Sequence, residues 1–185
     1  MEILLIRHTT PDVPAGTCYG QSDLDVAASF NAETEAIRRR LPEGYVRVVS
    51  SPLRRCRKLA AALFPGAHIE FVDALKEIDC GEWEMKKWDE LAEAESRAWA
   101  ADFVHRQFPG GENYLQLSAR VVAEFERIVA RGEDTVIVAH GGVIRSVLAH
   151  VTCRPLAQSF ETFTLPMGCV YRLRSTTTGF VIDAL

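Results

Sequence analysis

Two short apolar segments, far apart in this chain of 185 residues, each end in a histidine. Residues 3–8 read Ile-Leu-Leu-Ile-Arg-His, and residues 135–142 read Thr-Val-Ile-Val-Ala-His-Gly-Gly. Such runs are typical of buried strands, and open α/β sheets bind ligands at the carboxyl ends of their strands. The two segments therefore predict buried strands that bring His8 and His140 to one shared site.

The rest of the chain alternates between strand-like and helix-like patterns. Strands are predicted over 2–7, 45–50, 69–75 and 135–139, helices over 29–41, 52–63, 112–131 and 142–151, and a terminal antiparallel pair over 170–174 and 180–185. Ser51 is the predicted N-cap of the helix that begins at Pro52. The alternation predicts an α/β fold of three layers, αβα, around a mostly parallel central sheet.

Residues 82–111 interrupt this alternation. They contain all three tryptophans, many charged residues and, at their end, a Pro-Gly-Gly sequence. We expect a single domain over residues 1–185, in which 82–111 form a small helical insertion that covers the site.

Composition excludes several classes of protein. The net charge of −4 argues against a general nucleic-acid binder, and no apolar run is long enough to cross a membrane. Five scattered cysteines without a Cys-x-x-Cys pair predict neither a zinc site nor a disulfide framework. We expect a cytoplasmic protein whose partner is a small molecule, not a nucleic acid or a membrane; a homodimer is left open.

Short motifs in a fixed order carry a resemblance to a known family. They are Arg7-His8-Thr9, Tyr19–Asp23, Ser50–Arg55, Leu75-Lys76-Glu77, Gly81–Glu84, Pro109–Glu112 and His140-Gly141-Gly142. In these motifs the chain resembles the phosphoglycerate-mutase-like branch of the histidine phosphatase superfamily. It departs from the family pattern at Met85, where glycine is typical, and at Asn113, where serine is common.

The resemblance implies a phosphatase that acts through a phosphohistidine intermediate. It assigns His8 as the nucleophile, because a neutral imidazole nitrogen can attack phosphorus. Arg7 and Arg55 become the phosphate clamps, since forked guanidinium donors suit the phosphoryl oxygens. His140 and the backbone N–H of Gly141 would complete the pocket.

The resemblance also decides two choices that spacing leaves open. Arg54 and Arg55 are equally placed in their charged run, and the family pattern selects Arg55. Among neighbouring carboxylates the same pattern selects Glu77 as the general acid that protonates the leaving group; the others are Asp73, Asp79, Glu82 and Glu84. No metal or cofactor is expected, because the histidines lack paired ligand spacing and arginines supply the positive charge.

One variant of the motifs is Arg-His-Thr-x-Pro-Asp over 7–12, followed by Cys-Tyr-Gly-Gln over 18–21. It resembles one subgroup of the family, the α-ribazole-phosphate phosphatases of cobalamin biosynthesis. The resemblance implies α-ribazole 5′-phosphate as substrate, with Tyr19, Gly20 and Gln21 as substrate-binding residues. Tyr19 and either Trp83 or Trp88 could stack on a flat base. The alternative is that these aromatic residues only pack in the core.

Two other functions are kept as alternatives. A phosphoglycerate mutase shares the first half-reaction, but it needs additional basic groups under a closed lid, and 82–111 hold only Lys86, Lys87, Arg97 and Arg106. A non-catalytic module that binds a phosphorylated ligand would be expected to have lost His8 or Glu77.

Overall fold

The computed structural model describes residues 1–42, 44–45 and 47–185, and in that part of the chain six strands form one sheet. The strands are β1 (Glu2–Arg7), β2 (Arg47–Ser50), β3 (Ile69–Phe71), β4 (Thr135–Ala139), β5 (Val170–Thr176) and β6 (Gly179–Ala184). Their order is β3-β2-β4-β1-β5-β6; β1 to β4 run parallel, and β5 and β6 are antiparallel to their neighbours. The predicted mostly parallel α/β sheet is confirmed.

Helices cover both faces of this sheet. They are α1 (Phe30–Arg38), α2 (Arg54–Leu63), α3 (Glu93–Ala101), α4 (Tyr114–Val129), α5 (Gly141–Val151) and α6 (Ser159–Thr162), with short 3₁₀ turns at Asp73–Leu75, Gly81–Trp83, Trp88–Glu90 and Leu156–Gln158. Within the described residues, none of these helices combines the length and apolar character needed to cross a membrane.

The three layers follow from the alternation of side chains along each strand. Ile3 and Leu5 on β1 point to the side of α4 and α5, while Leu4 and Ile6 point to the side of α1 and α2. All four side chains are 1% exposed or less. A strand that is buried on both faces reads as a continuous apolar run, which is why β1 and β4 are so evident in the sequence.

Several predicted boundaries are wrong by a few residues. The predicted strand 69–75 ends at Phe71, because the chain turns into a 3₁₀ helix at Asp73. The predicted helix 29–41 is shorter, and the predicted helix 112–131 begins only after Asn113, whose side chain accepts a hydrogen bond from the backbone N–H of Gln116. Asparagine and serine are both good N-caps, so the departure from the family pattern at Asn113 retains the cap.

Ser51 is not the N-cap of α2. The helix begins at Arg54, and Leu53 is its N-cap, without a side-chain hydrogen bond. The predicted strand 45–50 includes Val46, which lies outside the described residues. The short helix α6 was not predicted, since its four residues carry no periodicity.

The register of the sheet aligns the ends of three strands. Arg7 on β1 lies beside Ala139 on β4, and Ser50 on β2 lies beside Val138 on β4. The next residues, His8 and His140, therefore leave the sheet together at its carboxyl edge.

Candidate active site

His8 and His140 lie side by side at the carboxyl edge of the sheet. Their ring centroids are 5.1 Å apart, and the two rings meet edge to face. His8 is 1% exposed and His140 is 0% exposed. The shared site expected from the two strand ends is therefore present as a buried pair of imidazoles.

The surroundings of His8 define the state of its ring. Nδ1 lies 2.7 Å from the carbonyl oxygen of Thr9, which can only accept, so Nδ1 carries the proton. Nε2 is then the basic nitrogen, and it accepts a hydrogen bond of 3.3 Å from Nε of Arg55. The ring is held with its nucleophilic nitrogen against a cation.

Arg55 is held in place by backbone carbonyl oxygens. Its Nη1 donates to the oxygen of Ser22 at 2.8 Å, and its Nη2 donates to the oxygen of Gly20 at 2.7 Å. The side chain is 0% exposed, and its guanidinium lies over the ring of Tyr19 at 5.5 Å. Arg54 instead lies on the surface, within 3.8 Å of Asp25, so the structure places Arg55, not Arg54, beside His8.

Both imidazoles are kept neutral by burial and by the neighbouring cations. Burial is the largest cause that lowers the pKa of His8 well below its usual value; the charge of Arg55 adds to it, the hydrogen bond to Thr9 opposes it, and Arg7 lowers it further. Burial, followed by Arg55, also lowers the pKa of His140 well below its usual value. A neutral His8 is the form that can attack an electrophile.

Arg7 presents an unused donor. Its Nη1 donates to the carbonyl oxygen of Leu165, whereas its Nε is buried and has no hydrogen-bond partner within the described residues. Gly141, the first residue of α5, lets the guanidinium approach, because a Cβ there would lie 3.2 Å from the Arg7 Cζ. Buried donors without a partner are costly, so an anion at this position would stabilise the site.

His140 contacts two side chains that sequence reasoning did not assign to it. Its Nε2 lies 2.7 Å from Oγ of Ser51 and 3.5 Å from Sγ of Cys56. Ser51 therefore positions His140 and does not cap a helix through its side chain.

Glu77 points into the same site. Its Oε2 accepts a hydrogen bond of 3.0 Å from the backbone N–H of Gly142, and its Oε1 accepts one from Ile78. A Cβ on residue 142 would collide with this carboxylate. Arg120 holds the backbone of Glu77 through its carbonyl oxygen at 2.9 Å. Glu77 is thus a fixed carboxylate beside the N-terminus of α5.

Glu84 organises the loop that holds Arg55, and the sequence argument did not find this role. Its carboxylate accepts hydrogen bonds from the backbone N–H groups of Gly20, Gln21, Ser22 and Cys80, and from the Ser22 hydroxyl. Burial alone would raise the pKa of Glu84, but these hydrogen bonds outweigh burial and lower it. The sequence signal that could have indicated this role is the position of Glu84 at the end of the family motif Gly81–Glu84.

Gly20 and Gln21 face Glu84 and Arg55. A Cβ at residue 20 would collide with the carbonyl oxygen of Ile78, so the close approach requires glycine. Contact of Gly20 or Gln21 with a substrate stays a prediction.

A cleft of about 370 Å³ opens beside these groups. Its lining includes Arg7, Glu77, Gly141 and Gly142, together with Tyr19. His8, Arg55 and His140 are not among the described residues that line it. They are 1% exposed or less.

Much of the remaining cleft lining is aromatic. It consists of Trp88, Trp99, Phe103, Phe108, Tyr114 and Phe160, and four of these come from the region predicted as an insertion. Trp83 does not line the cleft. It is 4% exposed and packs edge to face against Trp99 and Phe108, so of the two tryptophans considered for stacking only Trp88 is available.

Met85, where the family typically has glycine, adopts a left-handed backbone conformation with φ of 66°. This region is favourable for glycine and strained for other residues, which explains the family pattern there.

Arg145 is a second cation of the cleft and was not identified from the sequence. It lies on α5, is 9% exposed, and packs over the ring of Phe160 at 3.9 Å. Its Nη1 donates to the carbonyl oxygens of Ser159 and Phe163 at 2.5 and 3.0 Å. Within the described residues it has no carboxylate partner.

The donor chemistry of the site is that of an anion pocket. Residues 1–42, 44–45 and 47–185 contain no group of three or more His, Cys, Asp or Glu side chains placed to hold a metal ion. The positively charged groups that lower the pKa values of both imidazoles include Arg55 and Arg7.

Comparisons with known proteins agree with this chemistry. Residues 3–185 match the model of the histidine phosphatase superfamily, branch 1. The chain is 35% identical over 164 residues, 82% of its own length and 68% of the relative's, to a metal-independent phosphoserine phosphatase of Arabidopsis thaliana. It is 26% identical to an adenosylcobalamin/α-ribazole phosphatase of Salmonella typhimurium, over 91% of this chain and 88% of that protein.

The fold is shared with solved structures. The α-ribazole phosphatase of Shigella flexneri superposes with a TM-score of 0.91 at 22% identity, covering 100% of this chain and 96% of that one.

The buried histidines predict a specific pH dependence of stability. Unfolding returns their pKa to about 6.5, so below that pH the unfolded chain binds more protons than the native chain does. The free energy of unfolding should therefore fall as the pH drops below about 6.5, by up to about 1.4 kcal/mol per pH unit for each histidine. Urea unfolding at a series of pH values measures the slope.

The control for this slope is a matched pair of variants. His140→Asn should reduce the slope relative to His68→Asn, which replaces an exposed histidine. Equal slopes in the two variants would show that His140 is not the source.

The position of Glu84 predicts that Glu84→Gln loosens the loop around Arg55. The new amide N–H₂ would face backbone N–H donors, and each lost hydrogen bond to a charged group is worth about 1.5–3 kcal/mol. Misplacement of Arg55 should lower kcat/KM for p-nitrophenyl phosphate by up to about a hundredfold. Glu82→Gln, an exposed neighbour, is the control; identical behaviour of the two variants would refute the role of Glu84.

Proposed function

Because the chain belongs to branch 1 of the histidine phosphatase superfamily and is a phosphatase, we propose that it hydrolyses phosphate monoesters through a phosphohistidine at His8. One observation carries the proposal. Nδ1 of His8 donates to Thr9, which leaves Nε2 as the basic nitrogen, and this nitrogen faces the Arg55 guanidinium at 3.3 Å.

In the first half-reaction the substrate phosphate lies among Arg7, Arg55 and His140. Nε of Arg55 turns from His8 to a phosphoryl oxygen, and the unpartnered Nε of Arg7 supplies a second donor. Nε2 of His8 then attacks phosphorus, and the bond from phosphorus to the alcohol oxygen breaks. Glu77, in its acid form, protonates the departing alkoxide.

In the second half-reaction Glu77 acts as the base. It takes a proton from water as the water oxygen attacks phosphorus, the N–P bond breaks, and neutral His8 is restored. The proton on Nδ1 stays hydrogen-bonded to Thr9 throughout, so the ring keeps its orientation between the two steps. No step draws on a metal or cofactor.

The first test is the covalent intermediate. A brief exposure to labelled substrate followed by denaturation should leave label that is lost in acid and stable in base, located on His8. His8→Ala should remove both the label and turnover, whereas His68→Ala, on the surface, should retain both. Turnover by His8→Ala at the parent rate would refute the mechanism.

The role of Glu77 is tested through the leaving group. Glu77→Gln cannot donate a proton, and an alkoxide needs that proton far more than p-nitrophenolate does. The loss of kcat should therefore be larger for alkyl phosphates, with a differential approaching about 10²–10⁴-fold. Asp79→Asn is the matched control. Equal losses on both substrates in Glu77→Gln would assign the acid role to another group.

For the substrate we propose α-ribazole 5′-phosphate. The cleft is lined by both arginine and aromatic side chains, and its volume lies within the range of about 300–1,000 Å³ of small-molecule sites. Trp88 is 39% exposed and lines the cleft, so its ring is available to stack on a flat base. The Salmonella relative, with its similarity over most of both chains, supports the same substrate.

A phosphorylated acid such as phosphoserine is the second candidate. Arg145 favours it, because this buried cation lines the cleft and has no carboxylate partner within the described residues, so a substrate carboxylate could bind there. The Arabidopsis relative supports this alternative.

The mutase alternative receives less support. Lys86, Lys87, Arg97 and Arg106 do not line the cleft in the described structure, and Arg97 is paired with Glu93 on the surface. The cytoplasmic location stays a prediction, and the question of a homodimer stays open.

A comparison of substrates separates the two candidates. We expect the highest kcat/KM for α-ribazole 5′-phosphate, and we expect Trp88→Ala to lower it by about two- to twelvefold, the value of one aromatic contact. Trp88→Phe should restore it. Hydrolysis of p-nitrophenyl phosphate normalises the amount of active enzyme.

The opposite result would assign phosphoserine as the substrate. A preference for phosphoserine that Arg145→Gln abolishes, with little change on α-ribazole 5′-phosphate, would replace the first substrate by the second. Either result leaves the phosphohistidine chemistry standing.

A further inference from the structure

Two cysteines lie together in the wall of the cleft. Cys18 and Cys80 both line it, are 2% and 3% exposed, and pack with Trp83 and Phe108 in one small apolar cluster. They lie far apart in the sequence, so only the tertiary structure brings them together.

The backbone holds both residues against the turn that contains Glu84. The N–H of Cys18 donates to the carbonyl oxygen of Lys86 at 2.8 Å, and the N–H of Met85 donates to the oxygen of Cys18 at 2.8 Å. The N–H of Cys80 donates to Oε1 of Glu84 at 3.1 Å. The two loops that carry the cysteines are therefore both tied to the same turn.

Both thiols are placed to react with an oxidant that enters the cleft, because both residues line it. Whichever thiol is oxidised first, the other lies in the same small cluster and can resolve the product.

We propose that Cys18 and Cys80 form a reversible disulfide that lowers the activity of the neighbouring site. With hydrogen peroxide as oxidant, the Cys18 sulfur attacks one peroxide oxygen, the O–O bond breaks, and a sulfenic acid and one water form. The Cys80 sulfur then attacks the Cys18 sulfur, the S–O bond breaks, and a second water leaves with the Cys80 proton. Two thiols and one peroxide thus give one disulfide and two waters, and a dithiol reverses the reaction.

The effect on activity follows from what adjoins the pair. A disulfide draws the two sulfur atoms to about 2.05 Å. Gly20, two residues after Cys18, packs so closely that a Cβ there would lie 3.0 Å from the Cys80 sulfur, and its carbonyl oxygen accepts the hydrogen bond from Arg55. A shift of residues 18–20 therefore moves the acceptor that positions Arg55 against His8.

The other cysteines lack this arrangement. Cys153 is exposed, and burial raises the pKa of Cys56 and of Cys169. Cys153 is accordingly the matched control: a thiol that an oxidant reaches freely but that adjoins no part of the cleft lining.

The test uses the full-length enzyme with hydrogen peroxide, followed by blocking of free thiols and peptide mass mapping. We expect a Cys18–Cys80 cross-link with loss of the mass of two hydrogen atoms, and a fall of kcat/KM by about tenfold or more that a dithiol reverses. The ratio of oxidised to reduced activity is compared within each variant, so basal differences cancel. Cys18→Ser and Cys80→Ser should lose the reversible fall, and Cys153→Ser should keep it.

Three outcomes would overturn the proposal. They are the absence of the cross-link, a reversible fall of activity that persists in Cys80→Ser, and a cross-linked enzyme with undiminished kcat/KM. Mass spectrometry detects the cross-link directly. The test of the disulfide therefore does not depend on whether His8 forms a phosphohistidine.

Discussion

The parallel pairing of β1 with β4 is the constraint on which the rest of the site depends. Its register sets Arg7 beside Ala139, so that His8 and His140 leave the sheet at the same level with their rings 5.1 Å apart. Both strands are buried on both faces, which makes a slip of register costly, because every apolar side chain would change sides. The relative position of the two imidazoles is therefore fixed by the rigid core of the sheet.

Three arginines near this pair have no ion-pair partner among the described residues. Arg7, Arg55 and Arg145 form no ion pair within the described residues, although most of the other arginines do. Backbone carbonyl oxygens hold Arg55 and Arg145 in place, and a buried donor of Arg7 stays unused. Carbonyls neutralise no charge, so the site retains a strong preference for an anion.

Arg7 and Arg55 also help to keep the imidazoles neutral. The residues proposed to bind the anion therefore also favour the nucleophilic form of His8. Burial and Arg55 lower the pKa of His8, which leaves Nε2 unprotonated at neutral pH. Glu84 supports this arrangement from a distance, because it ties down the loop whose carbonyl oxygens hold Arg55. Glu84 is not among the described residues that line the cleft, so its charge does not face the proposed phosphate site, where it would oppose binding.

The sequence by itself determined the α/β class, the paired strand-end histidines and, through the family motifs, the residues now found around one cleft. These features are local: an apolar run predicts a buried strand, and a short motif keeps its residues together. It misjudged Ser51 and the ends of several helices, and it left open whether Trp83 or Trp88 faces the site, because caps and packing depend on residues from distant parts of the chain. Only the tertiary structure decided that Glu84 serves Arg55, that Arg145 enters the cleft and that Cys18 meets Cys80. Each of these arrangements joins segments that are distant in the chain. The periodicity of apolar residues shows which face of a helix or strand is buried, but not which distant segment packs against that face.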